Sequence, residues 1–130
     1  MAYNILVVDD SSIIRSVIKK TFKLAEVQVN ELHEAENGKV GLEKLKDNWI
    51  DAVFVDINMP VMTGIEMIDK MGEDGLLEKM PVVIISTEGS KARIEELKNK
   101  GVNAYIRKPF TPEVLRDVMK DVMKEGDNGG

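Results

Sequence analysis

The chain has 130 residues, of which 43% are hydrophobic and 32% charged, a composition typical of one compact domain. Its 18 lysines and arginines against 23 aspartates and glutamates leave a net charge of −5, which argues against a nucleic-acid or membrane partner. Cysteine is absent, which excludes disulfides, thiolate metal sites and cysteine nucleophiles and suits a cytoplasmic protein.

Five short runs rich in valine and isoleucine recur along the chain, with amphipathic stretches between them. Continuous hydrophobicity indicates strands that are buried on both faces, as in a parallel sheet covered by helices. The second run alternates more, so we predict that it forms an edge strand. The runs occupy residues 5–8, 27–32, 52–55, 82–85 and 104–106.

Apolar side chains at helical spacing predict helices between these strands. A helix over residues 91–100 has few apolar anchors, chiefly Ile94 and Leu97, so we expect it to be weakly held. The clearest stripes are Ile14, Val17, Ile18 and Phe22 after the first strand, and Ile65, Ile68 and Met71 after the third.

The last helix follows Thr111, a residue type favoured at the N-cap, and should end near Glu125. We therefore predict a domain over residues 1–125 and a disordered polar tail over residues 126–130. The apolar stripe of this helix, in which the two methionines are expected to fill the core, is Val114, Leu115, Val118, Met119, Val122 and Met123.

Five strands that alternate with five helices predict a single doubly wound (βα)5 domain of the α/β class. We expect a parallel five-stranded sheet in the flavodoxin-like strand order 2-1-3-4-5. In this order the chain changes direction between strands 1 and 3, and ligands bind in the crevice beyond the carboxyl ends of the strands.

Polar side chains follow four of the five predicted strands, so they should meet in this crevice. Three converging carboxylates need a counter-charge, and a hard divalent cation such as Mg2+ provides one. An aspartate carboxylate can attack a phosphoryl group while the cation neutralises charge on the phosphoryl oxygens. The residues are Asp9 and Asp10 after strand 1, Asp56 after strand 3, Ser86 and Thr87 after strand 4, and Lys108 after strand 5.

Several residues could have a purely structural role instead of a functional one. Asp9 and Asp10 could cap the first helix, because acidic side chains are favourable at helix N-termini. Tyr105 could be a half-buried packing residue of the fifth strand. His33 is expected at the solvent-facing edge without a functional role, and Trp49 is expected to pack at the opposite end of the sheet.

Four segments carry a more specific signal, and they are spread over the whole chain. They are Val7-Val8-Asp9-Asp10, the run from Val55 to Gly64, Ile85-Ser86-Thr87-Glu88 and Tyr105-Ile106-Arg107-Lys108-Pro109-Phe110. Together they resemble the receiver domain of two-component response regulators, most closely the single-domain chemotaxis type.

The resemblance implies that Asp56 is the phosphoacceptor. It also implies that Asp10, Asp56 and the backbone carbonyl of Asn58 bind Mg2+ directly, while Asp9 acts through water. The phosphoryl donor would then be a histidine kinase or a small acyl phosphate.

The same resemblance assigns roles around the phosphoryl group. Lys108 and Ser86 would hold its oxygens, Ser86 and Tyr105 would be the switch residues, and Thr87 and Glu88 would control access to the site. Phosphorylation would change the affinity for an effector, such as a motor switch or a phosphatase. The protein would not be a classical enzyme, although it would assist its own phosphorylation and dephosphorylation.

Two other functions use the same residues. A phosphorelay carrier would pass the phosphoryl group onward, and the sequence leaves this alternative open. A phosphohydrolase with an aspartate nucleophile would need a second acid two residues after Asp56, where Asn58 cannot protonate a leaving group. A calcium-binding loop at this place is excluded, because Val61 stands where the glycine of such a loop must turn.

Overall fold

The computed structural model describes residues 2–127. In chain order its elements are β1 (Tyr3–Val8), α1 (Ser12–Leu24), β2 (Val29–Ala35), α2 (Gly38–Asp47), β3 (Ala52–Val55), α3 (Gly64–Glu73), a short 3-10 helix (Leu76–Glu78), β4 (Val82–Ser86), α4 (Lys91–Lys100), β5 (Ala104–Arg107) and α5 (Pro112–Asp127). The strands are parallel and lie in the order β2-β1-β3-β4-β5, which confirms the predicted fold class and topology.

The strand with the weakest sequence pattern, β2, is at an edge of the sheet as predicted, but it begins two residues later than expected. Val27 belongs to the turn that follows α1, because its N–H donates to the carbonyl of Phe22 (3.1 Å) and Glu26 adopts a left-handed φ of 60°. At its other end β2 continues to Ala35, which pairs with Val8 of β1.

The sheet separates two apolar layers. Met67 and Ile68 of α3 and Leu97 of α4 pack on one face, and Phe22 of α1 and Leu115 of α5 pack on the other. The three central strands are completely buried along residues 5–8, 52–55 and 82–86, which confirms the interpretation of their continuous hydrophobic runs.

Three side chains that were expected to be packed are exposed. Val17 of α1 and Val114 of α5 are exposed, so the packed faces of these two helices are narrower than the apolar stripes in the sequence suggest. Trp49 is at the predicted end of the sheet, but it is 78% exposed. Its indole N–H donates to the carboxylate of Asp51 (3.0 Å), so the ring is fixed by a hydrogen bond rather than by packing.

The boundaries of α5 confirm one prediction and correct another. The hydroxyl of Thr111 accepts the N–H of Val114 (3.3 Å), as expected of an N-cap. The helix continues to Asp127, two residues beyond its expected end, because a glycine at position 126 lowers helix propensity without removing the backbone donor. The rest of the predicted tail, residues 128–130, lies outside the described residues. No helix in the described part of the chain is long and apolar enough to span a bilayer.

Candidate functional site

The carboxyl ends of β1 and β3 bring three aspartates together. Val8 and Val55, the last residues of these strands, are paired in the sheet, and the N–H of Asp56 donates to the carbonyl of Val8 (2.9 Å). As a result, one carboxylate oxygen from each of Asp9, Asp10 and Asp56 lies within 4.8 Å of the others. This is the cluster predicted from the strand ends.

The three carboxylates differ in environment. Asp9 is only 2% exposed, Asp56 is partly buried, and Asp10 faces solvent. Asp9 accepts the backbone N–H of Ser11 (2.9 Å), while the N-cap of α1 is Ser11 itself, whose hydroxyl accepts the N–H of Ile14 (3.2 Å). The simpler interpretation of the aspartates as helix caps is therefore wrong.

Lys108 supplies the positive charge of the cluster. Its ammonium lies 2.9 Å from the Oδ2 atom of Asp9 and 3.8 Å from that of Asp56. The lysine is held in place by its own backbone, because its N–H donates to the carbonyl of Ser86 (2.9 Å). Its peptide bond to Pro109 is cis. Lys108 is therefore not an ordinary surface lysine.

The pKa of Asp56 is raised from its ordinary value of 3.8, and burial is the largest cause. Lys108 opposes this effect, whereas the negative charges of Asp9 and Asp10 add to it. Three carboxylates against one ammonium leave this pocket with excess negative charge. The oxygen-only donor set and this excess fit a hard divalent cation, which would relieve the repulsion.

The loop between β3 and α3 approaches Asp56 closely. A Cβ on Gly64 would lie 2.1 Å from the carbonyl oxygen of Asp56, so only glycine fits there, and the N–H of Gly64 donates to the carbonyl of Ile57 (2.9 Å). In the same loop, the N–H of Met62 donates to the carbonyl of Pro60 (2.7 Å) across Val61. This γ-turn places Val61 at a φ of 68°.

Ser86, Glu88 and Tyr105 form a second group next to the carboxylates. Ser86 is fully buried, and its hydroxyl accepts the N–H of Glu88 (3.2 Å). The phenol of Tyr105 donates to the carbonyl of Glu88, and burial raises the pKa of this half-buried tyrosine. Thr87 lies between them with its side chain exposed.

Asn58, two residues after Asp56, is exposed. His33, for which no functional role was expected, contacts Glu31 on β2 (3.0 Å). One further contact, the ion pair between Glu88 and Arg93, could not be predicted from residue spacing, because Glu88 lies in a loop and Arg93 in the first turn of a helix.

The sequence as a whole matches the family model of the response regulator receiver domain over residues 5–120. The chain belongs to this family. It is 39% identical over 127 residues to the chemotaxis protein CheY homolog of Campylobacter jejuni, with 97% of this chain and 96% of the relative covered. Chemotaxis protein CheY1 of Helicobacter pylori is 40% identical over 124 residues, with 95% and 98% covered.

Solved receiver structures share the fold over almost their whole length. The chemotaxis response regulator CheY4 of Vibrio cholerae superposes with a TM-score of 0.81 at 31% identity, covering 94% of this chain and 99% of that one. A CheY-like receiver domain from Methanospirillum hungatei gives 0.85 at 26% identity, with both chains fully covered. The resemblance drawn from the sequence motifs is confirmed, and receiver domains of this type are signalling proteins rather than classical enzymes.

Proposed function

We propose that this receiver domain is a phosphorylation-operated switch of a two-component system, with Asp56 as its phosphoacceptor. The observation that carries the proposal is the position of Asp56. Its carboxylate is partly buried, lies 3.8 Å from the Lys108 ammonium, and shares a pocket with two further carboxylates.

The chemistry is a transfer of one phosphoryl group. An Oδ atom of Asp56 attacks phosphorus, the new P–O bond forms as the bond to the donor breaks, and the donor leaves as neutral histidine or as acetate. Hydrolysis of the resulting acyl phosphate returns the carboxylate and inorganic phosphate. Lys108 and Ser86 would hold the phosphoryl oxygens.

Mg2+ is the cofactor that the pocket fits best. The carboxylates of Asp10 and Asp56 and the backbone carbonyl of Asn58 would hold it directly, with Asp9 acting through water. When bound, the ion neutralises charge on the phosphoryl oxygens. Asp9 is suited to an indirect role, because its own carboxylate is already paired with Lys108 at 2.9 Å.

The output would be a change in the face formed by β4, α4, β5 and α5. A phosphoryl oxygen that draws the Ser86 hydroxyl inward would disturb the hydrogen bonds that Glu88 makes with Ser86 and Tyr105. The relatives named as chemotaxis proteins favour a motor-switch or phosphatase partner and a histidine kinase as donor. The cytoplasmic location and the control of access by Thr87 and Glu88 remain predictions.

Incubation with acetyl phosphate tests the phosphoacceptor directly. We expect intact-mass spectrometry to show one added phosphoryl group in the presence of Mg2+, and none in excess chelator. Asp56→Asn should abolish the addition. Phosphorylation that persists in the variant or in chelator would contradict the assignment.

A second measurement separates a switch from a phosphorelay carrier. Amide chemical shifts with and without a phosphoryl mimic should change most from Ser86 to Lys108, and Ser86→Ala should reduce this response. Changes confined to the loops of Asp9, Asp10 and Asp56 would favour the carrier.

A further inference from the structure

Glu88 makes three hydrogen bonds, two of them with the proposed switch residues Ser86 and Tyr105. Its N–H donates to the hydroxyl of Ser86 (3.2 Å), and its carbonyl accepts the phenol of Tyr105. Its carboxylate accepts the Nε–H of Arg93 at 3.2 Å. The first two contacts tie Glu88 to the phosphoryl-reading region, and the third ties it to α4.

The carboxyl end of α4 is anchored by burial. Leu97 is fully buried. The N–H of Val102 donates to the carbonyl of Leu97 (3.1 Å), and this hydrogen bond caps the end of the helix. Lys100 adds an ion pair to Asp69 of α3 (2.8 Å). This end of the helix is therefore held independently of the loop that follows β4.

The amino end of α4 is held by polar contacts. Ser90 caps the helix by accepting the N–H of Arg93 (3.2 Å), and the guanidinium of Arg93 reaches back to Glu88 while also lying 3.5 Å from Glu96. Lys91 and Ala92 in this first turn are exposed. The ion pair thus joins the first turn of the helix to the loop.

The loop is also contacted from β5, but this contact does not involve α4. A Cβ on Gly89 would lie 3.2 Å from three side-chain atoms of Arg107. The Arg107 side chain therefore lies beside the loop on the sheet side. Arg93 restrains the loop from the helix side.

We propose that Arg93 is a positioning residue, which makes the amino end of α4 follow the loop when Asp56 is phosphorylated. This inference rests on the proposed function. When the Ser86 hydroxyl moves toward the phosphoryl oxygens, its hydrogen bond to the N–H of Glu88 displaces Glu88 in the same direction. The ion pair between the Glu88 carboxylate and Arg93 then displaces Arg93 as well. Because Leu97 stays buried, the displacement becomes a pivot of α4 about its carboxyl end.

Amide chemical shifts of the full chain test this role, with Mg2+ and beryllofluoride as the phosphoryl mimic. In Arg93→Gln, the change at Ser86 should persist, while the change at Ile94 and Glu95, in the amino-terminal half of α4, should fall to less than half of its wild-type size. Arg93→Lys should restore part of the response, because it keeps the charge. Lys100→Gln, which breaks the ion pair at the other end of α4, is the matched control and should respond as the wild type.

A double-mutant comparison identifies the contact that acts. Glu88→Gln should reduce the α4 response as Arg93→Gln does, and the combined variant should lose no more than either alone. An undiminished response in Arg93→Gln, or additive losses in the combined variant, would overturn the role of Arg93. Absence of any response at Ser86 in the wild type would overturn the proposed function itself.

Discussion

The carboxyl of Asp56 lies between one attractive and two repulsive neighbours. Lys108 stabilises its ionised form, but burial and the charges of Asp9 and Asp10 outweigh this effect, so the pKa of Asp56 is raised. The raised pKa means that the folded, metal-free protein binds this proton more tightly than the unfolded chain does. Ionisation of Asp56 at neutral pH therefore lowers the free energy of unfolding.

Asp56→Asn is expected to stabilise the metal-free protein, because the amide resembles the protonated carboxyl and Asp9 still pairs with Lys108. The stabilising effect of the proton is complete below the ordinary pKa of 3.8 and is lost as pH rises through the raised value. The melting temperature of the variant should thus match that of the wild type at about pH 4 and exceed it by about 2 °C at neutral pH. Thermal unfolding in chelator across this range is the measurement, and a lower melting temperature of the variant at neutral pH would contradict it.

Val61 shows strain at a single residue. Its φ of 68° is unfavourable for a β-branched side chain. The side chain is 77% exposed, so burial of its methyl groups contributes little stability in compensation. Val61→Asn should raise the free energy of unfolding by about 1 kcal/mol, because asparagine tolerates a positive φ better than a β-branched residue does. Val17→Asn, at an exposed site in ordinary helix α1, is the control and should give no gain in denaturant unfolding. Equal effects of the two substitutions would show that the turn stores no strain.

At the scale of elements, helices α3 and α4 have the same length but different attachments. Helix α3 buries Met67, Ile68 and Met71 and has a complete capping box between Thr63 and Glu66. Among the residues of α4, Leu97 alone is buried. A helix held mainly by one apolar residue can shift at modest cost, which suits an element that must respond to a switch.

This difference predicts local opening of α4. Amide hydrogen exchange in the unmodified protein should show protection in α4 at least about tenfold lower than in α3, equivalent to roughly 1.4 kcal/mol. Amides near Leu97 should be the slowest of the helix. Equal protection of the two helices would mean that α4 opens only with global unfolding.

The sequence predicted the elements best where one requirement dominated. The bounds of β3 were predicted correctly because burial on both faces leaves only apolar residues at 52–55, and the predicted bounds of α4 were also correct. The predicted start of β2 was wrong because the turn after α1 depends on the left-handed backbone conformation of Glu26. The predicted packing of Trp49 was wrong because its indole N–H instead donates a hydrogen bond to Asp51 and the ring stays exposed.

The same contrast holds for the site. Convergence of Asp9, Asp10, Asp56 and Lys108 followed from strand order, because the carboxyl ends of parallel strands meet at one edge. The burial of Asp9 and the contact of Glu88 with Arg93 depend on loop paths, which no spacing rule in the sequence specifies.

At the scale of the whole molecule, the chain carries a net charge of −5 and concentrates three of its carboxylates at one pocket. Ion binding there should stabilise the entire fold, since a ligand that binds only the folded state adds to the free energy of unfolding. At a hundredfold excess over the dissociation constant, the expected gain is about 2.7 kcal/mol, or about 10 °C in melting temperature. Matched ionic strength with NaCl separates Mg2+ binding from general screening.

Asp9→Asn and Asp10→Asn should separate the stability of the metal-free protein from the gain in melting temperature that Mg2+ provides. Asp10 is exposed, so Asp10→Asn should leave the metal-free melting temperature unchanged or raised, yet remove most of the Mg2+-dependent gain. Asp9→Asn should lower the metal-free melting temperature, because it deprives the partly buried Lys108 ammonium of its carboxylate at 2.9 Å, while it retains more of the Mg2+ response. If both variants lost the Mg2+ response equally and had the same metal-free stability, the division between a direct ligand and a lysine-paired carboxylate would be wrong.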